Sequence, residues 1–93
     1  MSRFKRFCFR VQGGVQGVGF RYFTRNKAEK MGLQGYVQNL PNGDVEIEVE
    51  GPENQVSLFM KAIKSGPPGA TVKKIITDIQ TVKMQRSGFE IRF

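Results

Sequence analysis

The sequence contains no histidine and a single cysteine, Cys8, and each shortage removes a class of chemistry. Without histidine there is no imidazole acid–base catalysis and no Ser-His or Cys-His nucleophile pair. One thiol cannot supply the commonest zinc ligand sets, and no metal site is expected. One cysteine also cannot close an internal disulfide, so nothing depends on an oxidising compartment and a cytoplasmic location is expected. No apolar run approaches the roughly 20 residues needed to span a bilayer. Met1 to Arg10 alternates Phe with Lys and Arg instead of forming the core of a signal peptide. The chain is therefore expected to be soluble and unprocessed, with no membrane partner, and its chemistry must rest on Arg, Lys, carboxylates, amides and backbone.

Acidic residues are also scarce, 8 against 15 basic ones, for a net charge of +7. The distribution matters more than the total. Residues 1–30 carry Arg3, Lys5, Arg6, Arg10, Arg21, Arg25, Lys27 and Lys30 against Glu29 alone. Residues 31–60 carry no Lys or Arg and hold Asp44, Glu46, Glu48, Glu50 and Glu53. The positive field is gathered at the N-terminal third and the C-terminal end.

A chain of 93 residues suffices for one core, so residues 1–93 are expected to form a single domain. Phe7, Phe9 and Val11 alternate with Cys8, Arg10 and Gln12, the period of a half-buried strand, which runs into Gly13 and Gly14. Phe20, Phe23, Ala28 and Met31 then fall on one helical stripe, with Gly32 as its stop. A short strand from Leu33 to Asn39 meets Leu40-Pro41-Asn42-Gly43-Asp44, whose Pro, Asn and Gly mark a hairpin turn. Val45, Ile47 and Val49 alternate with Glu46, Glu48 and Glu50, which predicts a strand with one face in the core and one acidic face in water.

Pro52 is placed to open a second helix, along which Val56, Phe59, Met60 and Ile63 repeat at i, i+3, i+4, i+7, and Gly66-Pro67-Pro68-Gly69 ends it. A late strand within Val72 to Val82 and a short one within Gly88 to Phe93 follow. The order predicts an α+β fold: a ferredoxin-like α/β sandwich, βαββαβ with an extra C-terminal strand, its antiparallel sheet covered on one face by two helices.

Gly13-Gly14-Val15-Gln16-Gly17-Val18-Gly19-Phe20-Arg21 joins the first strand to the first helix. Backbone N–H groups at such a junction lack internal partners, glycines let several turn toward one point, and the helix dipole adds attraction for anions. A cation at the first helical turn, Arg21, is disfavoured by the dipole unless an anion lies nearby, and a guanidinium can grip two phosphate oxygens. The loop has neither the Gly-Lys-Ser/Thr ending of a P-loop nor the G-x-G-x-x-G spacing of a dinucleotide fold. From turn chemistry alone, the simpler readings are a plain strand-to-helix turn with a solvated Arg21, and Asn39 as a strand-end cap. Cys8 reads as a small buried or half-buried hydrophobe, and the glutamates of the acidic strand as solvated.

Val15-Gln16-Gly17-Val18-Gly19-Phe20-Arg21 resembles the signature of the acylphosphatase family, and Gly35-Tyr36-Val37-Gln38-Asn39 is similar to its second motif. Gly43-Asp44-Val45-Glu46 and Gly66-Pro67 stand where the family has them, so the resemblance covers nearly the whole chain. It implies that backbone N–H groups of Gln16, Gly17, Val18, Gly19, Phe20 and Arg21 cradle a phosphate, that Arg21 clamps it, and that the Asn39 amide orients the attacking water. The substrate would be a small acyl phosphate, with inorganic phosphate and sulfate as competing anions, no cofactor and a monomeric chain. Tyr36 stands where the family often has Trp, and Gln38 where it often has a basic residue.

Other readings of the same element order are an RNA-binding module and a non-catalytic regulatory domain. RNA-binding domains of this order stack bases on aromatics of the third strand, but here that strand carries Glu46, Glu48 and Glu50, which repel a phosphate backbone. No nucleic-acid partner is expected.

Overall fold

The computed structural model describes residues 3–84 and 87–93; Met1, Ser2, Gln85 and Arg86 lie outside the described residues. The N-terminal alternation runs further than its apolar core suggests, forming strand β1 (Phe4–Gly14). Helix α1 (Phe20–Lys30), strands β2 (Gln34–Asn39) and β3 (Val45–Pro52), helix α2 (Glu53–Ser65), and strands β4 (Thr71–Gln80) and β5 (Phe89–Arg92) follow. Among the described residues no helix is long and apolar enough to cross a membrane.

The strands make one sheet in the order β4-β1-β3-β2-β5. The pairs β4–β1, β1–β3 and β3–β2 are antiparallel as expected, whereas β5 lies parallel to β2. β4 and β5 therefore occupy opposite edges of the sheet.

One face of the sheet is apolar because the strand alternation keeps it so. Phe9 and Val11 of β1, Val45, Ile47 and Val49 of β3, Val37 of β2 and Phe89 of β5 are all buried there. The helices cover this face with Phe20 and Ala28 of α1 and Val56, Phe59 and Ile63 of α2, and the rings of Phe59 and Phe89 lie 6.2 Å apart. The buried stripe of α1 includes Thr24, a polar residue that the apolar pattern passes over; its hydroxyl donates to the Phe20 carbonyl at 2.8 Å and so enters the core satisfied. α1 stops at Gly32 with φ 67°, where Leu33 N–H donates to the Ala28 carbonyl and Gly32 N–H to that of Glu29, the paired bonds that satisfy a helix end. Pro52 stands one position ahead of its expected place, capping α2 with extended ψ while still pairing in β3.

The opposite face departs from the expected water-exposed acidic surface. Glu50 is 1% exposed and Arg6 5%. Arg6 Nη1 donates to Glu50 at 3.2 Å, and its Nε pairs with Glu48. Lys83 and Met84, beyond the end of β4, lie over this face, and the Glu50 carboxylate accepts from the backbone N–H of Lys83 at 2.7 Å and of Met84 at 2.9 Å. The glutamate alternation reads as solvated only because these distant residues are invisible to local periodicity.

Candidate active site

Between β1 and α1 the chain turns around side chains that it sends into the core. Val15 and Phe20 are fully buried anchors, and Val18 packs against the core. Gly17 at φ 78° and Gly19 at φ 73° take the left-handed conformations that the turn requires, and the space around each would admit a Cβ. Glycine is needed there for backbone freedom, not for room.

Gly19 is the cap residue of α1, which has no side-chain cap and no acidic residue in its first turn. The N–H groups of Phe20, Arg21 and Tyr22 have no intrahelical carbonyl to reach, since the first helical bond runs from Phe23 N–H to the Gly19 carbonyl. The positive end of the helix is thus left open, and the adjoining cation Arg21 has no carboxylate within ion-pair distance among the described residues. Instead Arg21 Nη1 donates to the Arg92 carbonyl at 3.2 Å and its guanidinium lies 4.6 Å from the centre of the Phe93 ring.

Asn39 ends β2. Because side chains alternate, it shares the face of buried Val37, beneath α1, and Tyr36 and Gln38 point to the other side. Both of those donate to Glu46 Oε1 at 2.8 Å, so the two departures from the family pattern lie on the face away from the helices. The hairpin turn after Asn39 is closed by other groups. Leu40 N–H donates to the Asp44 carbonyl, Gly43 N–H to that of Leu40, and Asp44 N–H to Asn42 Oδ1. Asn39 is therefore not the cap that turn chemistry suggests, and among the described residues its amide makes no hydrogen bond to a protein group.

Val15, Gly17, Gly19, Phe20, Arg21, Tyr22 and Asn39 line one cleft of about 110 Å³. Arg21 and Asn39 meet here, together with Gly17, Gly19 and Phe20 of the loop. Gln16 and Val18 do not line it: the Gln16 side chain runs to the hairpin turn, and Val18 lies toward Gly69. Val15 and Tyr22 were not singled out from sequence; the signal for Tyr22 was its place beside Arg21 in the first helical turn.

A larger cleft of about 260 Å³ on the far side of the sheet is lined by Arg6, Tyr36, Glu48, Lys83, Glu90 and Arg92 among others. Its charges are largely spent on one another through Arg6–Glu48, Lys83–Glu48 and Arg92–Glu90, with Arg92 also 3.8 Å from the Tyr36 ring centre. Burial, then the charges of Glu46 and Glu48, push the Cys8 thiol up to about 11, so at neutral pH it is protonated and a poor nucleophile. Among the described residues no group of three or more thiol or carboxylate side chains is placed to hold a metal ion.

The Acylphosphatase family model matches residues 7–91. A chain named acylphosphatase from Archaeoglobus fulgidus is 55% identical over 65 residues, covering 70% of this chain and 73% of that one. Another from Thermotoga petrophila is 42% identical over 86 residues, covering 92% and 91%. The crystal structure of acylphosphatase from Bacillus subtilis superposes with a TM-score of 0.91 at 39% identity, over 96% of this chain and 99% of that one. With its fold, its loop and its hairpin all of this kind, the chain belongs to the acylphosphatase family, enzymes that hydrolyse acyl phosphates.

Proposed function

We propose that hydrolysis proceeds by direct attack of water on phosphorus, with the phosphate held by backbone N–H groups of Gly17, Gly19, Phe20 and Arg21, the members of the expected cradle that line the cleft, and by the Arg21 guanidinium, and the water oriented by the Asn39 amide. One observation carries this reading. Among the described residues, an uncompensated helix N-terminus, an arginine free of carboxylates and an amide unused by the fold converge on one small cleft. Donors of this kind suit a tetrahedral oxyanion.

The attacking oxygen bonds to phosphorus as the bond from phosphorus to the carboxyl oxygen breaks. The water's proton passes to a phosphate oxygen, and the carboxylate departs as a stable anion without a general acid. Such a reaction asks the protein to position groups and neutralise charge, which this residue set can do without histidine. On the same reading the enzyme needs no metal, since Arg21 and the helix end supply the positive charge, and it works in the cytoplasm as a monomer.

Phosphate release from benzoyl phosphate tests the proposal, with Arg21→Ala and Asn39→Ala measured beside the unsubstituted protein. Both variants should lose turnover while remaining folded. Retention of full turnover by either would remove that residue from the mechanism.

A further inference from the structure

The family resemblance uses Gln16 only for its backbone N–H, yet its side chain makes two of the contacts that join the phosphate loop to the rest of the fold. Gln16 Nε2 donates to the Leu40 carbonyl at 2.8 Å and to the Asp44 carbonyl at 2.9 Å. These two carbonyls flank the hairpin turn, and Leu40 directly follows Asn39. Each already accepts one backbone bond inside the turn, from Gly43 and Leu40 respectively, and each has a second lone pair for Gln16. A side-chain NH₂ provides two donors at one atom; a glutamate or methionine of similar length provides none.

From this geometry we infer that Gln16 is a positioning residue that sets the distance between the bound phosphate and the Asn39 amide. One side chain spans from the loop assigned to phosphate to the strand end assigned to water, without itself lining the cleft. The hairpin has other ties to the fold. Asp44 Oδ2 is tied separately to Gln12 of β1 at 3.3 Å and to Asn42 at 3.1 Å, and β3 pairs along its length with β1 and β2. Loss of Gln16 therefore frees the loop to shift against a turn that stays formed. An in-line attack is sensitive to such shifts, since a misplacement of about 1 Å can cost on the order of 10²-fold in rate.

The inference rests on the assignment of the water to Asn39, and a double-mutant cycle separates the two. Gln16→Met and Gln16→Ala are each made alone and together with Asn39→Ala, and kcat for benzoyl phosphate, the inhibition constant of inorganic phosphate and the urea midpoint are measured. Gln16→Met should lower kcat by roughly 10- to 10²-fold and leave phosphate inhibition nearly unchanged. In the Asn39→Ala background the same substitution should have little further effect, because the group it positions is gone. Gln16→Ala should behave alike, which guards against an effect peculiar to the thioether. Multiplying losses in the double variant, with Asn39→Ala itself impaired, would overturn the role of Gln16 alone. So would normal kcat per folded molecule, or a fall in kcat matched by weaker phosphate binding. Normal turnover in Asn39→Ala would overturn the assignment of the water, and the role of Gln16 with it.

Discussion

Arg21 of the first helical turn donates through Nη1 to the main-chain carbonyl of Arg92 at the end of β5, at 3.2 Å. β5 lies beside β2 at the sheet edge, so the strand next to the one bearing Asn39 also steadies the guanidinium. A lysine ammonium could keep the charge but not a planar fork that serves a carbonyl and a phosphate together. Arg21→Lys should therefore be nearly as damaging as Arg21→Ala, with a loss of roughly 10³ to 10⁵ in kcat/KM. A lysine variant close to the unsubstituted protein would reduce Arg21 to a source of charge.

Asn39→Ala should lower kcat by on the order of 10² to 10³ while leaving inhibition by phosphate almost intact, because the amide is assigned to the water. Its amide makes no hydrogen bond within the described residues, so the urea midpoint should scarcely move. A lowered midpoint with normal turnover per folded molecule would return Asn39 to a structural role.

Inorganic phosphate and sulfate should compete with substrate, since the loop and Arg21 would hold any tetrahedral oxyanion. Exhaustive chelation should leave activity complete. Purely non-competitive inhibition by both anions, or a strict requirement for a divalent cation, would contradict the mechanism.

On the far side of the sheet, Glu50→Ala should destabilise without touching catalysis. It leaves Arg6 buried beside Glu48 alone and frees the backbone N–H groups of Lys83 and Met84. Removing one member of a buried ion pair costs about 3 to 5 kcal/mol, and the remaining Glu48 places this case near the lower figure. Urea unfolding should report the loss, while kcat per folded molecule stays normal.

The same cluster sets an acid limit. Burial pushes the Glu48 carboxyl up, but hydrogen bonding to Arg6 and the charges of Arg6 and Lys83 outweigh it and hold the group below its usual 4.5. A depressed folded value means that the stabilisation is complete above 4.5 and is lost as pH falls through the folded value. Urea midpoints taken at successively lower pH should fall in that window. Glu48→Gln should be less stable at neutral pH and show a shallower acid decline; an equally steep decline would assign the acid sensitivity elsewhere.

Much of the fold is legible because it is written in short-range periods. Val45, Ile47 and Val49 show both a strand and its buried face, and Gly32 marks the end of α1 at the residue where the structure needs a left-handed turn. Thr24 and Glu50 mislead for one reason: polarity signals exposure only when nothing nearby satisfies the group. The Phe20 carbonyl satisfies the first, and Arg6 with the backbone of Lys83 and Met84 satisfies the second. Asn39 could be singled out by resemblance but not by turn chemistry, because the groups that cap the turn in its place, Asn42 and Asp44, are equally plausible candidates on paper.

What the sequence by itself determined was the set of elements, the single apolar face, the glycine-bearing turn before α1 and the chemistry ruled out by the missing histidine. The last is a matter of composition, and the others depend on residues within a few positions of one another. Only the tertiary structure decided that Arg21 and Asn39 share a cleft, that Gln16 reaches across to Leu40 and Asp44, and that β5 closes the sheet in parallel beside β2. Those relations arise from strand order and from helix packing on the sheet. They join positions distant along the chain, and no local pattern of apolar and polar residues encodes which distant groups meet.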